Sequence, residues 1–470
     1  AYYLAGVAYG SLAVRDACAK RLSHDTQQTL WSTAKVVLLG TVCAYLTGPL
    51  LARSVTLVPV TFTVVLVFMS AALLGSALPL LAHASIEPDQ PAGTGISYLY
   101  LSNIVGSTLG SFLVGFVILD HWSTQRTCAL LLVVGACAFL ALAGLAKPAR
   151  SRLTVAAGCI VCAALAVSSK PLYSHMYERL LTKQGYERGF EFGDLVENRS
   201  GIVAVTKDST VFGGGMYDGR FNIDPMDDRN GIFRAYAVAN LKPNATEVLL
   251  IGLSSGSWAQ VLVNNPSVRH MTIVEINPGY MALIEKHAEV RSLLRNPKVE
   301  IVTDDGRRWL TAHRGRMFDL IVMNTTFHWR ANVSNLLSIE FLQMLRQHMK
   351  PGGVAFYNTT DGERVLATGI AAFPYAMRVS NFLAVSDRPF ALNKHGFQKT
   401  LTEYEIDGRH VFDQSREKDR SKLSELVAIF DQPDSANGVY ESRSAMLTRL
   451  SGVRAITDDN MGSEWDLDSH

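Results

Sequence analysis

The sequence predicts two domains of different fold class: an α-helical membrane domain up to about residue 170, followed by a soluble α/β domain with a doubly wound sheet. Apolar runs with few charges fill the first part, whereas Asp, Glu, Lys and Arg are interspersed through the second. In the second part, short runs rich in Val, Ile and Leu alternate with helical stretches. This order is typical of parallel strands covered by helices on both faces.

Apolar length places the membrane spans, because about 20 apolar residues cross a bilayer core. The stretches that meet this length are 29–51, 55–82, 93–119, 125–146 and 152–169. A sixth run near residues 1–14 begins at Ala1 inside apolar sequence, so we expect a span cut short before its natural start. Small residues at Gly106, Gly110 and Gly115 permit close helix packing. The prediction is five or six membrane helices.

Polar residues within the spans favour anchoring over transport. Asn103 can bond to a neighbouring helix, and His83 and Asp120 stand at span ends, so the sequence lacks the series of intramembrane carboxylates that a proton-driven transporter needs. We therefore expect an integral protein of a bacterial inner membrane with the lipid bilayer as a partner. A homo-oligomer is compatible with this arrangement.

The side of the membrane that the soluble domain faces stays open. Basic residues in two loops share one face of the predicted topology, and the positive-inside rule then puts the soluble domain outside the cytoplasm. A substrate made inside the cell would indicate the opposite side. These basic residues are Arg15, Lys20, Arg21, Lys147, Arg150 and Arg152.

Composition excludes several kinds of site. Lys and Arg number 44 against 42 Asp and Glu, so the balance of charge gives no indication of a nucleic-acid partner. All six cysteines precede residue 170, and the Cys159-x-x-Cys162 pair lies in an apolar helix without nearby His or acid. Packing explains that pair better than metal or redox chemistry. We expect no metal cofactor.

The soluble part divides into three predicted segments. Residues 171–235 form a linker and a small antiparallel β-hairpin unit, in which "SGIVAVTKDSTVFGGGMYDGRFN" turns on its glycines. Residues 236–400 form the nucleoside-binding domain, and residues 401–470 form a charged segment, interpreted as a solvated tail or a lid edge. The predicted strands of the central domain are 247–253, 271–277, 298–303, 318–324 and 353–359.

A nucleoside site is predicted where the first two strands of this domain end. Gly252, Ser254 and Gly256 form a tight turn, and Glu275 ends the second strand, where a carboxylate can accept hydrogen bonds from two ribose hydroxyls. The third glycine of a dinucleotide-binding turn is replaced near Trp258, which disfavours NAD.

The third strand ends in Asp304, Asp305 and Gly306. A carboxylate there can accept from an adenine amino group, although an acidic pair before a helix also serves as an N-cap. Capping alone would explain the pair. The glycine turn and Glu275 nearby make adenosine binding the favoured interpretation.

Several motifs follow one another along the soluble part: Tyr217-Asp218-Gly219 with Asn222, "VLLIGLSSGS", "PSVRHMTIVEINP", "NPKVEIVTDDGRRWL", "FDLIVMNTT", "LLSIEF" and "MKPGG". In this order they resemble the spermidine synthase family of aminopropyltransferases. The whole layout is similar to bacterial members fused to a membrane domain, including transmembrane S-adenosylmethionine cyclotransferases.

This resemblance implies a Rossmann-like methyltransferase/spermidine synthase fold. It also implies a site for S-adenosylmethionine or its decarboxylated form, with Glu275 on the ribose and Asp305 on the adenine. Around these two residues the implied binding residues are Asp218, Asn222, Gly252, Ser254, Gly256, Asp304 and Gly306.

The chain departs from the family pattern at the reacting end. Where the family has an Asp that helps to deprotonate the attacking amine, this chain has Asn324, and a second loop Asp is Phe327. An amide cannot accept that proton. The family's Tyr-His-Glu stretch is not recognisable in "RNGIFRAYAVA". The chemistry expected here is therefore one that needs no amine-activating base.

Cyclisation of S-adenosylmethionine meets that requirement. Its own carboxylate attacks the γ-carbon, which closes homoserine lactone and expels 5′-methylthioadenosine, and a well-oriented intramolecular reaction gains an effective molarity of about 10⁵ to 10⁸ M. Asn324, Tyr217 and Asn222 are neutral polar groups suited to holding the methionine arm folded. A cyclising lyase is the favoured function.

Three alternatives remain. The first is transfer to an amine or to a membrane-associated acceptor with His328 as base, although Arg330 beside it could instead clamp the substrate carboxylate. A methyltransferase is the second, since the same sheet serves that class. The third is a module that binds the nucleoside without turnover.

Overall fold

The computed structural model describes residues 2–20, 25–86, 92–146, 152–324, 333–360 and 362–462. The chain divides into two compact units. The first comprises residues 1–192 and 197–199, and the second comprises 193–196 and 200–470. Composition predicted a boundary near residue 170, and the division lies near residue 192. Two short helices after residue 168 account for the difference, because they belong to the first unit.

The first unit is built from helices. They are α1 (Tyr2–Lys20), α2 (Thr26–Ser54), α3 (Val60–Gly75), α4 (Ala77–Ser85), α5 (Ala92–Leu113), α6 (Leu119–His121), α7 (Thr124–Ala146), α8 (Arg152–Val167), α9 (Ser169–Tyr173) and α10 (Met176–Thr182), with a π-helical turn at Val114–Ile118 between α5 and α6.

Some of these helices are long and apolar enough to cross a membrane. Four helical stretches in the described ranges are long and apolar enough to cross a membrane: Thr26–Ser54, Val64–Ser85, Gly93–His121 and Thr124–Ala146. The pair Arg152–Val167 and Ser169–Gly185, bent by 61°, would make a fifth. These stretches lie at the five predicted spans. The shorter run at the start of the chain forms α1, which is not among them.

Close packing by glycine occurs elsewhere than expected. A Cβ at Gly10 would overlap the backbone of Ala72, so this glycine lets α1 and α3 approach closely. At Gly106, Gly110 and Gly115 no described atom lies within 4 Å of the position that a Cβ would take. The small-residue stretch of α5 therefore makes no tight contact within the described part of this unit.

The second unit begins with a four-stranded sheet in the order β1-β2-β3-β4. The hairpin predicted over 200–222 is three strands, and sequence reasoning missed β1. The strands are β1 (Phe192–Asn198), β2 (Gly201–Thr206), β3 (Thr210–Gly213) and β4 (Met216–Arg220).

The main sheet has eight strands in the order β14-β10-β11-β9-β8-β5-β6-β7. Its strands are β5 (Glu247–Ile251), β6 (His270–Glu275), β7 (Val299–Thr303), β8 (Phe318–Met323), β9 (Met349–Asn358), β10 (Tyr375–Val379), β11 (Phe382–Ser386) and β14 (Tyr440–Ser442), and a separate pair is β12 (Glu405–Ile406) and β13 (Arg409–His410).

Helices connect these strands. They are α11 (Phe233–Leu241), α12 (Ser257–Val263), α13 (Gly279–Ile284), α14 (Gly306–Ala312), α15 (Ile339–Gln347), α16 (Glu363–Ala372), α17 (Lys394–Thr402), α18 (Glu417–Val427) and α19 (Arg443–Arg449).

The parallel pairing predicted for five strands is confirmed, and three further strands that were not predicted make the sheet mixed. The five predicted strands, β5 to β9, pair in parallel. β11 pairs antiparallel with β9, and β10 pairs antiparallel with both β11 and β14. A two-residue turn at Ser380 and Asn381 joins β10 to β11, which is why the chain can reverse without a helix. The sheet is therefore mixed.

The segment after residue 400 is packed rather than a solvated tail as far as residue 462. β14 adds a strand to the sheet, and Arg378 on β10 forms a buried ion pair with Glu441 on β14 at 2.9 Å. Burial opposes charge on Glu441, but hydrogen bonds from Arg449 and Arg378 outweigh it and lower the pKa of this carboxyl. The ion pair therefore holds the last strand in place.

Candidate active site

A cavity of about 290 Å³ opens at the carboxyl ends of the central strands in the second unit. Turns after β5, β8 and β9 meet there, which is where the ligand of a doubly wound sheet is expected. The lining residues are Tyr217, Asp218, Gly219, Asn230, Arg234, Gly252, Leu253, Ser254, Ser255, Trp258, Asn324, Asn358, Thr360 and Asn381. Five predicted site residues line it: Tyr217, Asp218, Gly252, Ser254 and Asn324.

The turn after β5 depends on left-handed backbone conformations. Gly252 has φ of 91° and Gly256 has φ of 75°, conformations that favour glycine. Among the described residues, no atom lies within 4 Å of a Cβ placed at Gly252, so the backbone there faces open space in the described part of the chain. Ser254 lies between them at φ of 50°, and its hydroxyl donates to the carbonyl of Asp218. This bond joins the turn to the end of β4.

Glu275 stabilises the turn after β5 by accepting backbone hydrogen bonds. It is buried at the end of β6, where one carboxylate oxygen accepts the Leu253 N–H at 2.6 Å and the other accepts the Asn277 N–H at 2.7 Å. Burial raises the pKa of Glu275, although these backbone bonds act in the opposite direction. Glu275 is not among the cavity-lining residues. Its predicted ribose contact stays a prediction.

The acidic pair after β7 forms a helix cap. Asp305 is the N-cap of α14 and accepts the Arg308 N–H at 2.8 Å, while Asp304 accepts the Asp305 N–H at 2.7 Å and forms an ion pair with Arg308. Gly306 packs against Ile251, where a Cβ would come within 2.6 Å of a methyl group. These three residues do not line the cavity, and their role toward adenine stays a prediction.

The end of β4 and the loop after it form another wall. Tyr217 is partly exposed, and Tyr280 donates its hydroxyl to the Asp218 carboxylate. Asn222 does not line the cavity. It donates to the carbonyl of Asp227 at 2.8 Å and to the side chain of Asn230 at 3.1 Å, so it shapes the loop that carries Asn230.

Two predicted residues, His328 and Arg330, lie outside the described residues, as does Phe327. Asn324 is the last described residue before them. It follows β8, and its side-chain oxygen accepts from Asn358 Nδ2 at 3.3 Å. The described part of the chain contains no group of three His, Cys, Asp or Glu side chains that could hold a metal ion.

Sequence reasoning missed six polar residues of the cavity: Asn230, Arg234, Ser255, Asn358, Thr360 and Asn381. Arg234 lies in the first turn of α11, where the guanidinium donates to Asn381 Oδ1 and to the carbonyls of Asn230 and Gly231. Asn358 is the last residue of β9, and since Met323 pairs with Tyr357, Asn358 lies next to Asn324 across the two strands. The "YNTT" that ends the last predicted strand was the available indication of Asn358.

Comparison with known sequences shows what part of the second unit is similar to. Residues 235–367 match the sequence model of the spermine/spermidine synthase domain. The match includes α11 from its third residue, Ala235, onward, so Arg234 lies just before it. It also includes the glycine turn, Glu275 and Asn324. It supports placing the second unit in the spermidine synthase superfamily.

Curated relatives agree with that placement. A polyamine aminopropyltransferase of Desulforudis audaxviator is 28% identical over 145 residues, which are 29% of this chain and 52% of the relative. Polyamine aminopropyltransferase 2 of Streptomyces coelicolor is 26% identical over 297 residues, covering 60% and 52%, respectively. The chain thus spans about half the length of these relatives. A probable spermidine synthase structure from Corynebacterium glutamicum superposes with a TM-score of 0.40 at 15% identity, covering 57% of this chain and 97% of that one.

Proposed function

We propose that the second unit binds an S-adenosylmethionine-type nucleoside across the glycine turn and catalyses breakage of a carbon–sulfur bond in its sulfonium. The observation that carries the proposal is the cavity at the carboxyl ends of β5 and β8, since eight of its 14 lining residues lie inside the stretch that matches the spermine/spermidine synthase domain. Glu275 and Asp305 are the proposed contacts of ribose and adenine.

Transfer of an aminopropyl arm to an amine is the reaction that the relatives favour, since they are polyamine aminopropyltransferases. In that reaction, the amine nitrogen forms a bond to the carbon next to sulfur, the carbon–sulfur bond breaks, and methylthioadenosine leaves. A base must take one proton from the attacking ammonium. His328 and Asp218 are the proposed groups for that task.

Cyclisation of S-adenosylmethionine is a second candidate, and Asn324 is the observation that favours it. This neutral amide lines the cavity at the end of β8, and Asp218 is the only carboxylate among the described lining residues. In cyclisation, the substrate's carboxylate oxygen bonds to its γ-carbon while methylthioadenosine leaves, so no proton is transferred. Neutral dipoles suit a step in which two charges neutralise each other.

Product analysis separates the candidates. The purified full chain in detergent is incubated with S-adenosylmethionine alone, or with decarboxylated S-adenosylmethionine and putrescine, and products are followed by mass spectrometry. An aminopropyl adduct in the second mixture supports transfer. Homoserine lactone with methylthioadenosine in the first, at a rate that putrescine leaves unchanged, supports cyclisation. Methylthioadenosine in neither mixture contradicts both candidates.

We also propose that the first unit anchors the enzyme in a bacterial inner membrane without transporting a substrate. Its support is the four stretches of sufficient length and apolarity. Extraction of membranes with alkaline carbonate tests it: an anchored chain stays in the pellet. Substrate-dependent uptake into proteoliposomes that Asn103→Leu abolishes would contradict a purely anchoring role.

A further inference from the structure

Four polar side chains form a continuous hydrogen-bonded row along the reacting end of the cavity. Arg234 donates to Asn381 Oδ1, Asn381 Nδ2 donates to Asn358 Oδ1 at 3.0 Å, and Asn358 Nδ2 donates to Asn324 Oδ1 at 3.3 Å. All four residues line the cavity. We call this set the amide row.

The chemistry of its fixed donors sets the direction of the amide row. A guanidinium can only donate, so Asn381 must turn its oxygen toward Arg234 and its nitrogen toward Asn358. Independently, the backbone N–H of Thr360 donates to Asn358 Oδ1 at 2.8 Å. That bond also requires the oxygen of Asn358 on this side and its nitrogen toward Asn324. Two separate donors therefore impose one orientation on the row.

The direction of the amide row also sets the orientation of Asn324 at its end. Its oxygen accepts from Asn358, so its nitrogen, which can only donate, is turned away from the row. A substrate ammonium is itself a donor and finds no acceptor in that nitrogen. A substrate carboxylate accepts from it. The end of β8 is thus matched to a negative acceptor.

Arg234 adds positive charge to the same wall, and its surroundings hold it there. The guanidinium carbon lies 5.0 Å from the centre of the Phe382 ring and 5.9 Å from that of Trp258, and these two rings stack on each other at 4.8 Å. Its bonds to the carbonyls of Asn230 and Gly231 fix it further. A cation held in this way favours anions and disfavours polyamines.

The geometry points to carboxylate recognition by the amide row: Arg234, acting through Asn381 and Asn358 on Asn324, selects a nucleoside whose amino-acid arm keeps its carboxylate over the decarboxylated form. The inference rests on the proposed binding of an S-adenosyl nucleoside. It deepens that proposal by naming the substrate class, and it applies to cyclisation and to transfer of a carboxylated arm alike.

Binding of unreactive thioethers tests the inference without turnover. S-adenosylhomocysteine carries the carboxylate, S-adenosyl-3-thiopropylamine is its decarboxylated counterpart, and methylthioadenosine lacks the arm. Calorimetry on the purified full chain should give an affinity for the first at least about tenfold higher than for the second, as one charge-assisted hydrogen bond provides. Equal affinities, or a preference for the amine, would overturn the inference.

Two variants locate the effect. Arg234→Met should bring the ratio of the two affinities close to one, and Asn324→Asp, which leaves the bonds of Arg234 intact, should reverse it. Arg364→Met is the matched control, because Arg364 is an arginine of the same unit that bonds to a backbone carbonyl outside the cavity. An unchanged ratio in folded Arg234→Met and Asn324→Asp also overturns the inference.

Methylthioadenosine separates this inference from the proposed function. Its affinity should stay within about twofold in every variant, since it makes no contact with the amide row. If the wild-type chain binds neither methylthioadenosine nor S-adenosylhomocysteine, nucleoside binding itself is wrong and the inference falls with it. If methylthioadenosine binds and no preference for the carboxylate appears, only carboxylate recognition is wrong.

Discussion

The two ends of β8 carry polar side chains of nearly equal size that differ in charge and in surroundings. At its start, Asp319 is a carboxylate that accepts from the backbone N–H groups of Thr246 and Glu247 and from Lys350. Just past its end, Asn324 is a neutral amide on the cavity wall. The carboxylate near the start of β8 thus stabilises the fold, whereas the residue just past its end, beside the cavity, carries no charge.

This contrast shows why residue type alone does not identify a catalytic acid. Hydrogen bonds from Glu247, Lys350 and Thr246 outweigh the effect of burial and lower the pKa of Asp319 to about 2. A carboxylate so stabilised is a poor proton acceptor. An amide that ends a row of donors is not a proton acceptor at all, but it can bind an anion.

The largest expected effect comes from placing a negative charge at Asn324, just past the end of β8. Asn324→Asp should slow cyclisation of S-adenosylmethionine roughly 100-fold or more, because two carboxylates about 4 Å apart repel by roughly 4 kcal/mol at an effective dielectric constant of 20. Steady-state assays of methylthioadenosine release measure it. Asn324→Ala, which removes the amide without adding charge, is the control and should lose less. A faster reaction with putrescine in Asn324→Asp would favour amine transfer.

Removing the carboxylate beneath the glycine turn should have the next largest effect. Glu275→Ala should weaken methylthioadenosine binding about 10- to 100-fold, since it removes a charged hydrogen-bond partner worth about 1.5 to 3 kcal/mol. Calorimetry checks this, with the exposed Glu300→Ala on the neighbouring strand as control. Unchanged affinity in folded Glu275→Ala would show that the cavity binds its ligand without this carboxylate.

At the charged end of β8 we expect a stability effect with a defined pH dependence. Because the folded-state pKa of Asp319 is lowered to about 2, its contribution is present above about pH 4 and is lost as the pH falls toward 2. Asp319→Asn should therefore raise hydrogen exchange in β8 at pH 7, and the difference from the wild type should shrink at acidic pH. A difference that grows on acidification would contradict the assignment.

The smallest effect should separate capping from adenine contact at Asp305. Asp305→Ala should destabilise α14 by about 1 kcal/mol through loss of the cap. Asp305→Ser keeps a capping oxygen but not the carboxylate, so it should restore the stability and leave methylthioadenosine binding weakened. If the Ser variant binds as tightly as the wild type, Asp305 is a cap and nothing more.

The sequence predicted the part of the sheet with the strongest apolar pattern. β5 to β9 are runs of Val, Ile and Leu between helices, so their positions follow from composition. β10 and β11 are short, lie two residues apart and belong to a hairpin, while β14 has three residues. Their pairing depends on contacts between distant parts of the chain, including Arg378 with Glu441, which a local pattern does not contain.

The cavity residues likewise fall into those that could be predicted from the sequence and those that could not. Gly252, Ser254 and Asn324 lie at the ends of the predicted strands 247–253 and 318–324, and a strand end can be located from sequence. Asn381 sits in a hairpin turn, where asparagine is common for conformational reasons. Arg234 lies in "RNGIFRAYAVA", a stretch that the sequence analysis noted only for the missing Tyr-His-Glu pattern. The hydrogen bonds that join Arg234, Asn381 and Asn358 form only because α11 and the β10–β11 turn come together in the fold.

The late position of β14 has a consequence for biosynthesis. β10 ends at Val379 and its partner begins at Tyr440, so about 60 residues must be made before that edge is covered. At about 5 to 20 residues per second, the ribosome takes roughly 3 to 12 s over that interval. During this time one edge of β10 offers unpaired backbone groups to neighbouring nascent chains. Arg378 stands on that open edge, where its charge discourages such pairing until Glu441 emerges to neutralise it.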